Sequence, residues 1–184
     1  MTKALLLLPS LAILLSGAGQ VPKVRSNPEL GKAEGRCRPE EPGPAIIVAV
    51  EGLKDRKGNL KLEVYPANDS DFLQDDNILI NEGKTFRRVV APIPQTGAPR
   101  LCIRVPAPGA YAVSLLHDRD ENRKFGLSVD GIGFAGNPKL GWSKPKAARS
   151  SVTVGTGLTH IAIVLNYRHG LFSFSPLEKR DAHR

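Results

Sequence analysis

The stretch LKLEVY at residues 60–65 decides the fold class. Its apolar residues stand at every second position, with charged or aromatic residues between them. Successive side chains of a β-strand point to opposite faces, so this alternation predicts a strand with one buried face. Residues 45–51 alternate in the same way, and the polar segment 54–59 between the two runs contains Gly58-Asn59. The two runs therefore predict a hairpin or an adjacent strand pair.

The same alternation recurs along the chain, at residues 84–93, 101–105, 111–117, 151–154 and 159–167. Turn-forming segments separate these runs, the clearest being the Pro- and Gly-rich residues 106–109. No strand alternates with a helix, which disfavours a parallel α/β fold. About seven short strands with frequent turns predict an all-β fold, a single antiparallel β-sandwich of immunoglobulin-like or transthyretin (prealbumin)-like shape.

The start of the chain has the three parts of a secretory signal peptide: a short positive segment, an apolar stretch over residues 4–15, and small residues at 16–18. We therefore expect a signal peptide at 1–18, an N-terminal tail at 19–44, the β-sandwich domain at 45–167 and a C-terminal tail at 168–184. The mature protein is expected to be periplasmic or secreted. No later segment reaches the length of a transmembrane helix.

The chain contains two cysteines, Cys37 and Cys102. In an oxidising compartment such an isolated pair predicts a disulfide, here one that ties the N-terminal tail to a middle strand. Two unpaired thiols are the alternative. The two cysteines form no CxxC, so the sequence supports neither a redox motif nor a thiolate zinc site.

The charge of the chain is positive, with 26 Lys and Arg against 18 Asp and Glu and a formal net charge of +8. This balance favours anionic partners. The basic residues are dispersed among acids, which argues against nucleic-acid binding. The expected partner is a cell-envelope glycan or protein.

Residues 118–150 form a long connection with little periodicity, and such loops tend to be either functional or disordered. Its apolar and aromatic content predicts one long ordered loop packed on the sandwich. Phe134 and Trp142 in this loop, together with His117 before it, are the candidate ligand-binding residues. The alternative, which we favour for the aromatic residues, is that they serve burial.

The loop begins with Asp118, Asp120 and Asn122, which match positions 1, 3 and 5 of an EF-hand calcium loop. The pattern then departs, because Arg123 stands where the EF-hand has glycine and Val129 where it has glutamate. We therefore favour an Asx-rich turn whose side chains accept hydrogen bonds from nearby backbone N–H groups. A calcium site is the alternative, and no other cofactor is expected.

Two further motifs are weak. GIGFAG at residues 131–136 matches GxGxxG, but Asn137-Pro138 follows and no helix does, which argues against a dinucleotide site. His117 lies next to Asp118, yet adjacent strand residues point to opposite faces. No nucleophile and base are identifiable together, so we expect a protein that is not an enzyme.

The order of these elements resembles a bacterial family of exported domains of unknown function, number 2141. The resemblance covers residues 45–167 and rests on VEGL (50–53), LEVY (62–65), PGAYAV (108–113), HD (117–118), GIGF (131–134) and IVLNY (163–167). Family members commonly read HDENGNGKLD at the loop start, whereas this chain reads HDRDENRKFG and ends that motif with Gly126. The resemblance implies an exported β-sandwich and supplies no activity.

We therefore expect a non-catalytic envelope or extracellular domain with a binding or structural role. The alternatives are a calcium-stabilised structural module and a hydrolase with an unrecognised site.

Overall fold

The computed structural model describes residues 23–38, 40–141, 143–170 and 173–177. The predicted signal peptide and Trp142 lie outside these ranges. Within them the chain forms one α-helix, α1 (Asp76–Asn81), a 3-10 turn at Ala147–Arg149, and ten strands. The strands are β1 (Ala45–Glu51), β2 (Asn59–Pro66), β3 (Arg87–Pro92), β4 (Arg100–Arg104), β5 (Gly109–Asp118), β6 (Gly131–Phe134), β7 (Ser151–Val154), β8 (Leu158–Val164), β9 (Asn166–His169) and β10 (Ser173–Pro176).

The strands form two sheets, as the alternating sequence predicts. The small sheet has the order β4-β1-β8, and the large sheet has the order β10-β9-β6-β5-β2-β3 with β7 also paired to β5. All pairs are antiparallel except β1 with β8, which is parallel. The predicted all-β, sandwich-like fold is thus confirmed, and among the strand pairs of the described residues the parallel pair β1–β8 differs from the antiparallel pairing that the sequence predicts.

The main core lies between the two sheets. Ile46 and Ile163 of the small sheet and Leu62, Val64 and Leu115 of the large sheet belong to one buried cluster. Full burial of such a side chain stabilises the fold by roughly 1.5–3 kcal/mol. Alternation in the sequence marks these residues because every second side chain of each strand faces the opposite sheet.

A second apolar cluster covers part of the outer face of the large sheet. The rings of Phe72 and Phe86 pack edge-to-face on Tyr65, and their centroids lie 5.7 and 5.4 Å, respectively, from that of Tyr65. Leu79 of α1 and Phe134 of β6 complete the cluster. The large sheet is therefore buried on both faces where this second cluster covers it.

The predicted strand 159–167 is two strands in different sheets. β8 ends at Val164 in the small sheet, and β9 begins at Asn166 in the large sheet. Leu165 between them is buried in the common core. The alternation continues across the break because both sheets face the same core.

The large sheet continues beyond residue 167, the predicted C-terminal boundary of the domain. Residues 173–176 pair antiparallel with β9, so the chain extends the large sheet beyond the boundary. The described residues of the long loop, 118–141 and 143–150, are ordered, as predicted, and they include β6 and the 3-10 turn.

The N-terminal tail lies along the molecule. Cys37 and Cys102 form the predicted disulfide, with Cα atoms 5.8 Å apart. Closing a loop of this length stabilises the fold by about 4 kcal/mol in the chain-entropy model. Before the disulfide, the Arg88 N–H donates to the Gly31 carbonyl (2.7 Å), and the Ala33 N–H donates to the Arg88 carbonyl (2.8 Å). The tail thereby covers the outer edge of β3.

None of the helices in the described ranges is both long and apolar enough to cross a bilayer.

Candidate metal centre

Strand β5 carries the two residues that begin the site. His117 lies on the inner face with Tyr111, Val113 and Leu115, and Asp118 lies on the outer face. The pairing of His117 with Gly131 brings the start of β6 beside the end of β5. Residue 130 therefore returns to residue 118, although twelve positions separate them in the sequence.

Three carboxylates meet at this point. One oxygen each of Asp118, Asp120 and Asp130 lies within 4.8 Å of the others. Asp118 is 2% exposed and Asp130 is 1% exposed, whereas Asp120 is exposed. The structure thus brings together Asp118 and Asp120, which the sequence predicts as metal ligands, and adds Asp130, which the EF-hand spacing misses by one position.

The loop is held by the Asx-type hydrogen bonds that the sequence predicts. Asp118 Oδ2 accepts the Arg123 N–H at 2.8 Å. Asp130 accepts two backbone N–H groups, that of Arg119 at Oδ1 and that of Gly126 at Oδ2, both at 2.8 Å. These bonds tie Asp118 and Asp130 to the backbone of the loop.

Asn122, the third predicted ligand, takes part in the same turn. Its Oδ1 accepts the Lys124 N–H at 2.7 Å, and its Nδ2 donates to Asp120 Oδ2 at 2.8 Å. An amide oxygen has two lone pairs, so Oδ1 retains one acceptor site. Asn122 therefore contacts the cluster through its amide NH2 group at Asp120, while its Oδ1 binds the loop backbone.

One oxygen of the cluster is unsatisfied. Asp118 Oδ1 is buried and has no hydrogen-bond partner. Burial raises the pKa of Asp118, the Arg123 N–H lowers it, and the charges of Asp130 and Asp120 raise it further, with a net increase. An ionised carboxylate at this position needs a compensating positive charge, because a buried unpaired charge is costly. Either a proton or a cation meets that need.

The neighbouring Arg119 does not occupy this position. Its guanidinium forms an ion pair with Asp55, and its Nη1 donates to the Val129 carbonyl at 2.8 Å. Burial raises the pKa of Asp55, but the hydrogen bonds from Arg119 and the Lys57 N–H, together with the nearby positive charge, outweigh burial and leave the pKa below its usual value. The charge of Arg119 is therefore already paired with that of Asp55.

Arg123 adopts the backbone conformation that its position requires. Its φ is +66°, in the left-handed region, at the loop position where EF-hands have glycine. The substitution of arginine for glycine thus leaves the shape of the turn intact and places a strained residue in it.

A bacterial family model described as "Uncharacterized protein conserved in bacteria (DUF2141)" matches residues 48–162. The chain belongs to this family. The match runs from β1 into β8 and contains the whole loop from Asp118 to Asp130. No curated protein and no solved structure matches the chain.

In this DUF2141 chain His117 is a structural residue. It is 0% exposed, and its Nε2 lies 2.8 Å from the Lys57 carbonyl, to which it can only donate. Its Nδ1 therefore accepts the Tyr167 hydroxyl hydrogen at 2.6 Å, and the Tyr167 oxygen accepts the Lys54 N–H at 3.0 Å. Burial lowers the pKa of His117, which keeps the ring neutral. Both nitrogens are used, so the predicted ligand-binding role of His117 is corrected.

Phe134 is corrected in the same way. It is 3% exposed and packs edge-to-face on Phe72, with centroids 5.7 Å apart. The expectation that aromatic residues of the loop serve burial is confirmed for Phe134. Trp142 lies outside the described residues, and its predicted ligand-binding role stays a prediction.

Proposed function

We propose that this DUF2141 chain is an exported, non-catalytic module of the bacterial envelope or extracellular space, stabilised by a calcium ion at Asp118, Asp120 and Asp130. The observation that carries the proposal is the buried Asp118 Oδ1, which has no hydrogen-bond partner and belongs to a cluster of three carboxylates. A cation at the cluster satisfies this oxygen and removes the repulsion among the carboxylates.

The ligand chemistry favours calcium among divalent cations. All candidate ligands are oxygens, namely those of the three carboxylates. Calcium accepts six to eight oxygens in flexible geometry, whereas magnesium requires a strict octahedron. Asp120 and Asn122 are exposed, so water can complete the coordination shell.

Two observations support the remaining parts of the proposal. The three-part leader of the sequence supports export, and the Cys37–Cys102 disulfide is typical of proteins outside the cytosol. A non-catalytic role is supported at His117, the strongest base candidate of the sequence, because both of its nitrogens bind protein groups.

The test is calorimetric melting of the purified chain in calcium and in chelator, together with calcium titration. At a calcium concentration of 100 times Kd, the expected stabilisation is about 2.7 kcal/mol. Asp118→Asn should abolish the calcium response while the melting temperature in chelator is retained or raised, because the buried charge is removed.

The matched control is Glu121→Gln, which removes an exposed carboxylate from the same loop outside the cluster. This variant should keep the full calcium response. Equal melting temperatures in calcium and chelator for the unmodified chain, or an equal calcium response in Asp118→Asn, would overturn the proposal.

A further inference from the structure

A groove lies on the outer face of the large sheet, next to the metal loop. Its volume is about 490 Å³, and its walls come from β2, β3, the segment before α1, the N-terminal tail and residues 122–124. This volume falls in the range of small-molecule sites, roughly 300–1,000 Å³. The groove is distinct from the carboxylate cluster, although the two share one loop.

The end of the groove nearest the loop is cationic. Lys61, Arg123 and Lys124 line it. Arg123 and Lys124 are exposed, and among the residues that the structure describes neither side chain forms an ion pair. Two side-chain charges therefore remain available to a ligand at this end.

The two buried acids of the groove, Glu63 and Asp76, form ion pairs, whereas the third acid of its lining, Asp75, is exposed. Glu63 accepts hydrogen bonds from Arg88 Nε at 2.8 Å and from the Tyr65 hydroxyl at 2.9 Å, and Lys61 Nζ lies 3.3 Å from it. Arg88 Nη1 also donates to Asp76 at 3.1 Å. The floor thus repels an anion little, and the loop end attracts it.

The groove does not suit a peptide that adds a strand to the sheet. At Arg88 the outer edge of β3 is already paired with Gly31 and Ala33 of the N-terminal tail, which interrupts the edge. Recognition by strand addition needs a free edge. A ligand of this groove must therefore be bound by side chains, and Val90, 48% exposed in the wall, offers apolar surface to its C–H groups.

We propose that this groove binds an acidic sugar residue, with its carboxylate or phosphate group at Lys61, Arg123 and Lys124. The backbone of Arg123 links the groove to the metal centre. Its N–H donates to Asp118 Oδ2 at 2.8 Å, and its carbonyl accepts a hydrogen bond from Lys61 Nζ at 3.1 Å. Calcium bound at Asp118 therefore fixes the position of Lys61 through Arg123. This coupling rests on the proposed calcium site, whereas the sugar site itself is independent of it.

The test is an NMR titration of the ¹⁵N-labelled chain with methyl glucuronide, glucose 6-phosphate and the neutral methyl glucoside. Amide signals of residues around 61, 88 and 123–124 should shift with the acidic probes. The double variant Arg123→Gln/Lys124→Gln should weaken binding by about tenfold or more, the usual effect of losing charge-assisted hydrogen bonds. Lys139→Gln, which removes an exposed charge outside the groove, should bind like the unmodified chain.

The outcomes separate the sources and the two proposals. Tighter binding of glucuronide assigns a uronate, and tighter binding of glucose 6-phosphate assigns a phosphorylated sugar. Chelation of calcium should weaken binding about fivefold, at the low end of allosteric couplings. Binding that is unaffected by chelation overturns the coupling and retains the sugar site. Equal binding of the neutral sugar, or equal binding by the double variant, overturns the sugar site while the calcium response of melting still tests the metal centre.

Discussion

The backbone N–H of Arg123 donates to Oδ2 of Asp118 across 2.8 Å, and this bond closes a turn in which Arg123 has a φ of +66°. A residue with a Cβ adopts this conformation at a cost of roughly 1–2 kcal/mol. The hydrogen bond to a charged, buried carboxylate offsets that cost. The same turn carries an arginine charge next to a proposed cation site, so Arg123 both strains the turn and opposes calcium binding through its charge.

Replacement of Arg123 by glycine should therefore stabilise the chain and strengthen calcium binding. Glycine adopts a positive φ without strain, and relief of this strain should add about 1 kcal/mol to the free energy of unfolding. The greater conformational entropy of glycine in the unfolded chain should offset part of this gain. Loss of the positive charge should also raise calcium affinity. Urea denaturation and calcium titration measure the two effects.

Arg123→Ala is the control for this prediction, because it removes the charge and keeps the strain. It should raise calcium affinity without the gain in stability. If the alanine and glycine variants had the same stability, backbone strain at residue 123 would not be the cause.

Calcium stabilisation should increase with pH. The pKa of Asp118 is raised in the folded chain, so its contribution to stability without metal is present at low pH and is lost as pH rises through that raised pKa. Calcium replaces the proton and restores the interaction. The difference in melting temperature between calcium and chelator should therefore be larger at pH 7.5 than at pH 5.

Other groups around the site also titrate, but this difference isolates the metal. His117, whose pKa is lowered, loses stability as pH falls below its unfolded value of about 6.5, with or without calcium. Asp120, Asp130, Asp55 and the cationic Arg119, Arg123 and Lys124 face the same loop. A calcium effect that was constant with pH, or that survived in Asp118→Asn, would contradict proton competition at Asp118.

Tyr167→Phe should destabilise the fold by about 1–3 kcal/mol, because it leaves buried polar groups unsatisfied. The hydroxyl donates to His117 Nδ1 at 2.6 Å and accepts the Lys54 N–H at 3.0 Å. Urea denaturation of the two proteins gives the difference. The control is Tyr111→Phe, whose hydroxyl makes a single partly buried bond to the Ala107 carbonyl and should cost less. Equal losses would show that the His117 network adds nothing beyond one hydrogen bond.

Gly133→Ala should destabilise the chain by at least about 1–3 kcal/mol, the usual cost of overpacking. A Cβ at this residue would lie 2.5 Å from Ile163 Cγ2 and 2.7 Å from the Val164 carbonyl oxygen. Thermal melting measures the loss. Gly155→Ala, where a Cβ meets nothing within 4 Å, is the matched control and should change little. A tolerated alanine at 133 would mean that β6 can move away from β8.

These glycines explain the GxGxxG match without a nucleotide. Gly133 allows β6 to approach β8 closely. Gly136 has a φ of +70°, and a Cβ at this residue would lie 2.7 Å from the Arg149 carbonyl oxygen. The sequence predicts the absence of the helix that a dinucleotide site needs, and β6 is indeed followed by a turn in the structure. The sequence does not show that β6 packs so closely against β8 that residue 133 must lack a side chain.

The strands were predictable because the alternation of apolar and polar side chains is a local property that a few consecutive residues already show. The break at Leu165 was not, because a strand that changes sheets keeps the same alternation when both sheets face one core. The pairing of β10 with β9 was missed for a different reason, since residues 173–176 show too short a pattern to be recognised.

The sequence by itself determined the all-β class, the buried face of strands such as β1, β2 and β5, the disulfide pair and the Asx-rich character of the loop after His117. Only the tertiary structure decided which carboxylates meet. Asp130 joins Asp118 because β6 pairs with β5 in the register that places Gly131 opposite His117. That register is set by packing between distant strands, and so is the burial that leaves Asp118 Oδ1 without a partner. Spacing along the chain carries information about neighbours within a loop, whereas the environment of a buried charge depends on contacts that the spacing does not contain.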